Sequence, residues 1–339
     1  MATLSTTALT LADWAKRLDP DGKIPTIAEL LSQSNEILDD CLFKEGNLPT
    51  GEQVTIRTGL PSVYWRAINA GVPSSKATTA QVTEACGMLE AYSRVDVDLA
   101  ELNGNTAAFR LSEDVAFLEA MNQTMASTLF YGNPGTDPKQ FLGLANRYSS
   151  TSAGNGQNIL SAGGSGSDNT SIYLVVWGDN TAYCTFPKAS KAGLTSEDMG
   201  KLTVYDGSNN PYQAYQTHYQ WKNGLVVKDW RYVVRIPNID VSDLIGQTGT
   251  QASTAATNII KLMARALYRI PNMGMGRAAF YMNRTVHSGM ALSAMDRSQY
   301  VLKIEQGLSQ FGMPYSWLSF LGVPLRRVDQ ILNTESVVS

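Results

Sequence analysis

Few side chains in this sequence are placed to do chemistry. Asp96 and Asp98, in Ser93-Arg94-Val95-Asp96-Val97-Asp98, have the spacing of a paired acid and base. Such a pair works only when its surroundings push the two pKa values apart, and no neighbouring residue offers that. With Val95, Val97 and Leu99 alternating against them, the two aspartates read as the solvated face of a half-buried strand over 93–102. The two histidines, His218 and His287, fall in a strand and in a short helix. Neither belongs to an HExxH, CxxC or calcium-loop pattern, so no metal site is expected. Cys41, Cys86 and Cys184 are odd in number and widely spaced. They read as reduced, buried thiols of a protein assembled in a reducing cytosol. The glycines of Met273-Gly274-Met275-Gly276 precede a strand instead of opening a helix, which argues against a dinucleotide loop. No catalytic residue and no cofactor is expected.

One cluster is aromatic: Tyr205, Tyr212, Tyr215, Tyr219, Trp221, Trp230 and Tyr232. A sugar-binding platform over 212–232 is one reading, and makes a β-rich carbohydrate-binding or adhesion protein the alternative function. Cross-strand packing is the plainer one, since aromatic pairs stabilise sheets by up to ~1 kcal/mol each.

The totals bound the rest. The 339 residues are 43% hydrophobic and 17% charged, with net charge -3. That is enough apolar material for two or more cores. No basic block of the kind nucleic-acid readers carry is visible. No stretch of 18 apolar residues suggests a membrane span, and the first 22 residues lack a signal-peptide pattern.

The elements come next. Residues 10–40 read as two short helices, with Leu11, Trp14 and Leu18 on one face and Leu30, Ile37, Leu38 and Cys41 on another. Neither is long enough to be stable alone. Residues 47–95 read as a long β-ribbon, with alternating runs Val54/Ile56 and Val63/Trp65/Ala67 and a threonine-rich third run. A two-stranded ribbon is marginal in water and needs a partner to lie on. Residues 105–132 space Leu111, Val115, Leu118, Met121, Met125 and Leu129 at helical intervals. Gly132 is expected as a left-handed cap, and Pro134 ends the helix. At ~1.5 Å per residue this helix spans roughly 40 Å.

Beyond it, 149–170 is a Gly/Ser/Asn loop. Residues 171–187 read as a buried strand, a turn and a return strand. Residues 214–236 read as a hairpin turning at Asn223-Gly224, the strongest short hairpin signal. Residues 253–271 form an amphipathic helix on Ile259, Met263, Leu267 and Ile270. A strand over 277–283, a short helix and a Gly-Val-Pro turn into a last strand over 321–331 complete the chain.

The order of arm, ribbon, long helix and Gly/Asn hinge resembles tailed-phage major capsid proteins of the HK97-like fold. The residues that carry the resemblance are "LFYGNPGTDPKQFLGL" (129–144), "TNIIKLMARALYRIP", "AAFYMNRTVHSGMAL" and "FLGVPLRRVD". The whole chain is also similar to coat proteins of short-tailed, Bordetella-phage-like viruses. The resemblance implies an α+β fold with an N-terminal arm at 1–45 and an extended loop at 46–92. It implies a peripheral domain from 93–148 and 213–240, and an axial domain from 149–212 and 241–339. The long strands precede the 253–271 helix here, whereas in the family they come near the end, so permuted connectivity is expected.

The implied function is a homo-oligomeric shell of pentamers and hexamers around phage double-stranded DNA, assembled in the host cytoplasm and located in the virion. The shell would enclose and confine that DNA without sequence-specific binding, and involve no membrane. Portal, scaffold and cement or decoration proteins are possible partners, any scaffold being a separate chain. Candidate intersubunit contacts are Trp14, Arg57, Trp65, Arg66 and Lys76. Some family members crosslink through a ribbon lysine; no carboxylate can be assigned to Lys76 for that step, so none is expected.

Overall fold

The computed structural model describes residues 33–102, 106–206, 208–245, 250–296, 302–308 and 314–339. In chain order the described elements are α1 (Ile37–Asp40), β1 (Phe43–Glu45), β2 (Gly51–Gly59), β3 (Thr78–Ala85), β4 (Gly87–Asp96), α2 (Val97–Glu101), α3 (Thr106–Tyr131), α4 (Leu144–Arg147), β5 (Asn169–Trp177) and β6 (Ala182–Phe186). They continue with β7 (Leu194–Tyr205), β8 (Pro211–Val227), β9 (Val233–Asp240), α5 (Ser242–Ile245), α6 (Thr250–Arg269), β10 (Arg277–Met282), α7 (Arg284–Asp296), β11 (Leu302–Leu308), β12 (Pro314–Phe320) and β13 (Val323–Arg327). They group into two compact units. The smaller holds Met88–Ala126 and Gly193–Lys222 with residues 33–34. The larger holds Asn35–Gly87, Ser127–Ala192 and Asn223–Ser339.

In the larger unit β5 is central. All nine of its residues are buried, as befits a strand covered on both faces. β10 and β9 pair antiparallel on its two sides, and β13 and β12 extend the sheet beyond β10. One face, through Ile172, Leu174 and Val176, packs against Ile259, Met263 and Ala266 of α6 and Val286 and Met290 of α7. The apolar period of α6 is thus satisfied as the sequence predicts. From the alternate residues of β5, Tyr173 meets Phe130 at 5.0 Å.

In the smaller unit β4 and β7 flank β8. Val95 of β4 and Phe109 of α3 form the core of this unit with Leu99 and Ala100, and Tyr215 of β8 packs against it. Arg110 donates to Asp198 at 2.6 Å and to Thr217 at 3.2 Å, and lies over the Tyr215 ring.

Several expectations are corrected. Residues 214–236 are not a hairpin: β8 runs unbroken through Asn223-Gly224, and its hairpin partner is β7, the two pairing as far as Tyr205 and Pro211. Gly224 is needed for closeness, not for turning. A Cβ there would lie 2.9 Å from the carbonyl oxygen of Ala85 and 3.0 Å from the Cys86 sulfur. Nor does β6 return along β5. It leaves the Gly178–Thr181 turn to pair with β8 and β1. The strand expected over 93–102 ends at Asp96, whose carboxylate caps α2 by accepting from the Asp98 amide at 2.9 Å. A local side-chain acceptor there outweighs the alternating pattern.

Helix α3 forms as expected and Gly132 follows it, but Gly132 has no positive φ. What excludes a side chain is the hinge folding back: a Cβ would lie 2.3 Å from the Phe141 carbonyl oxygen. The apolar stripe of α3 is also divided. Met121, Met125 and Leu129 are buried, whereas Leu111 and Val115 are exposed.

Candidate assembly surface

The ribbon is a cantilever with a fixed base. β2 and β3 pair from Gly51↔Ala85 to Gly59↔Thr78. At the base Glu84 receives a bidentate pair from Arg147, at 2.6 and 2.7 Å, and the same guanidinium donates to the Leu225 carbonyl at 2.9 Å. Both side chains are largely buried, where such a fork is strongest. Beside it, Tyr183 donates to Glu52, and Val54, Tyr183 and Val226 form a small apolar cluster. Burial, followed by the Glu52 carboxylate, pushes the Tyr183 hydroxyl well above the usual phenol range, so it remains a donor.

Gly51 makes this junction possible. Its φ is +154°, and a Cβ would meet the Glu84 carbonyl oxygen at 2.0 Å. Only glycine enters the ribbon this way.

The distal half is bare. Every residue from 60 to 83 is exposed. Leu60, Val63, Trp65 and Ile68 have relative exposures of 81%, 89%, 104% and 95%. The expected second strand over Val63/Trp65/Ala67 does not form; 60–77 is a strandless tip, held by Ser75 to Ser62 and Arg66 to Ala70 hydrogen bonds. Alternation alone did not make a strand there, because among the described residues no partner strand runs beside it. Arg57, Trp65, Arg66 and Lys76 therefore all stand on one solvent-facing projection. Trp14 lies outside the described residues, as does the arm up to residue 32. Between Glu52 and Glu84 the ribbon carries these three cations and no acid.

The other residues singled out for chemistry are not brought together. His218 stacks on Tyr92 at 4.5 Å and lies 3.5 Å from Glu90. His287 is in the other unit, where burial and then Arg327 hold it below the usual imidazole range. The aromatic cluster dissolves with its hairpin: Tyr205 to Trp221 follow β7 and β8, while Trp230 and Tyr232 occupy a 3-10 turn of the larger unit. The hairpin that would carry the sugar platform does not form.

The model of the major capsid protein GP7 family matches residues 19–339. The chain belongs to the major capsid protein GP7 family. A chain of the structure of bacteriophage Epsilon15 is 32% identical, with a TM-score of 0.70, covering 100% of this chain and 99% of that one. The SrpI encapsulin of Synechococcus elongatus PCC 7942 is 10% identical, with a TM-score of 0.44, covering 71% and 99%. The capsid of a native GTA particle is likewise 10% identical, at 0.44, covering 69% and 99%. No curated protein matches the sequence.

A member of the major capsid protein GP7 family is a shell-forming structural protein of the virion, here with an HK97-like α+β fold. For such a protein the functional site is a set of contacts between copies, and the bare ribbon tip is the clearest candidate for one. Sequence reasoning found the ribbon but not its anchor. Glu84 and Arg147 are 63 residues apart, and nothing local pairs them.

Proposed function

We propose that the chain assembles with copies of itself into pentamers and hexamers of an icosahedral shell enclosing double-stranded DNA, and that the ribbon of each copy lies on its neighbour. One observation carries this reading: a rigidly based projection ends in large apolar side chains that no described residue covers. Exposed apolar patches of this kind mark interaction sites. Burying the ~200 Å² of Trp65 at ~25 cal/mol/Å² contributes roughly 5 kcal/mol before ordering costs. Summed over the many contacts of a shell, modest terms suffice.

The exposed Leu111 and Val115 on α3, on a stretch that also holds Glu113, Asp114 and Glu119, offer a receiving face of matching polarity on the next copy. We assign the smaller unit the peripheral role and the larger unit, ribbon apart, the axial role. The long strands β7 and β8 precede α6 in the chain, which supports permuted connectivity. The function is mechanical, with no catalytic step. Portal, decoration and a separate scaffold protein are the further partners expected of such a shell.

The test is to replace 60–77 by a short Asn-Gly turn and, separately, to make Arg57→Glu, Arg66→Glu and Lys76→Glu together. Both proteins should keep the circular dichroism of the parent and fail to form shells by electron microscopy and sedimentation. Normal shells from the truncated ribbon would overturn the reading.

A further inference from the structure

Helix α6 presents a second charged surface. Its buried side is Ile259, Met263, Ala266 and Ile270. On its outer side Lys261, Arg265, Tyr268 and Arg269 are all exposed, Tyr268 by 86%. The three cations fall at i, i+4 and i+8, one above the next, about 6 Å apart along the axis. From Asp243 to Asp296 the chain has no acidic residue between those two, but five cations. Two of the five are engaged: Arg277 donates to the Asp40 carbonyl and Arg284 pairs with Asp329 at 2.6 Å. Among the described residues the side chains of Lys261, Arg265 and Arg269 have no ion pair or hydrogen bond partner.

A merely solvated helix face usually alternates its charges, because opposite signs at i and i+4 stabilise and like signs destabilise by a few tenths of a kcal/mol. Arg269, in the last turn, is favoured by the helix dipole; Lys261 and Arg265 are not. A stripe of unrelieved like charge ending in a bare tyrosine suits a polyanion with regularly spaced charge. Double-stranded DNA carries one charge per ~1.7 Å of axis, and its backbone contacts need no base reading.

We infer that the outer face of α6, through Lys261, Arg265 and Arg269, binds the phosphodiester backbone of double-stranded DNA without regard to sequence. The inference rests on the reading that the shell encloses DNA, and adds a specific place of contact to it. Net charge conceals the site: an overall charge of -3 is compatible with a local surface of the opposite sign.

The experiment uses the full chain and a fluorescent 30-base-pair duplex of random sequence, with anisotropy read from 50 to 200 mM KCl. The parent is compared with Lys261→Gln/Arg265→Gln/Arg269→Gln and with Lys261→Arg. Glutamine keeps helix propensity. The triple variant should lose about 2.7 from the log–log salt slope, which over this fourfold salt range is roughly 40-fold in affinity. Lys261→Arg should bind like the parent. No duplex binding by the parent, or an unchanged slope in the triple variant, overturns the inference. So does displacement of the duplex by polyglutamate at lower charge concentration, which would make the partner an acidic polypeptide. Shell formation, scored on the same samples by electron microscopy, tests the shell reading separately.

Discussion

Arg235 and Glu335, one hundred residues apart, form a buried ion pair at 2.7 Å, with side chains 5% and 4% exposed. Around them Ser171 and Tyr131 donate to the Glu335 carboxylate, and Arg235 donates to the carbonyls of Ala145 and Tyr148. The backbone beyond is fastened too, by Glu335 to Asn169 and by Val338 to Asn238. The last dozen residues thus strap the hinge that follows α3 onto β5 and β9. Removing one partner leaves the other charge buried and uncompensated. Glu335→Ala should therefore cost about 3–5 kcal/mol, whereas Arg235→Met with Glu335→Leu should cost far less. Urea unfolding of unassembled subunits measures both; equal losses would contradict this account.

The ribbon tip separates folding from assembly. Trp65 and Ile68 touch little within their own chain, so Trp65→Ala and Ile68→Ala should leave subunit stability within ~0.5 kcal/mol of the parent. If each removes ~3 kcal/mol of contact between copies, the concentration needed for shells rises by roughly 100-fold. Light scattering against concentration gives that threshold. A threshold that stays in place would remove Trp65 and Ile68 from the interface.

Gly132 distinguishes two reasons for a glycine. A left-handed cap tolerates asparagine nearly as well as glycine. A close approach tolerates neither asparagine nor alanine, because a Cβ would sit 2.3 Å from the Phe141 carbonyl oxygen and 2.7 Å from that of Thr128. Gly132→Ala and Gly132→Asn should both destabilise by more than ~1 kcal/mol. Thermal denaturation of subunits decides the matter, and a benign asparagine would restore the cap explanation.

The thiol of Cys86, beside the ribbon base, is pushed up to about 11 by burial first and then by the Glu52 carboxylate. The folded state therefore holds this proton more tightly than the unfolded chain. The corresponding stability is present below pH 9 and is lost as pH rises through about 11. At pH 8 alkylation of Cys86 should run about 100-fold slower than that of an unhindered thiol, and accelerate tenfold per pH step up to that value. Mass spectrometry of iodoacetamide-treated protein follows it; labelling at the rate of glutathione would refute the shift.

The legible parts of this fold were those whose signal is local. Helices α3 and α6, the ribbon and the β13 turn follow from period and turn chemistry over a few residues. Misreadings arose where a local signal met a distant partner. Asn223-Gly224 is a hairpin signal, yet β6 pairs through it and Cys86 crowds it. Val63/Trp65/Ala67 alternates, yet among the described residues no strand lies beside it. The basic stripe of α6 escaped notice because helical spacing spreads its three cations over nine residues.

From its residues alone the chain declared a long helix, a ribbon without a core of its own and the order of its elements, because hydrophobic period and backbone stereochemistry act at short range. Tertiary structure alone decided that β8 passes straight through its apparent turn, that Arg147 and Glu84 anchor the ribbon, and that Arg235 and Glu335 strap the hinge. Those outcomes depend on which distant backbone groups and buried charges find each other, and a burial penalty is settled only once the partners are in place.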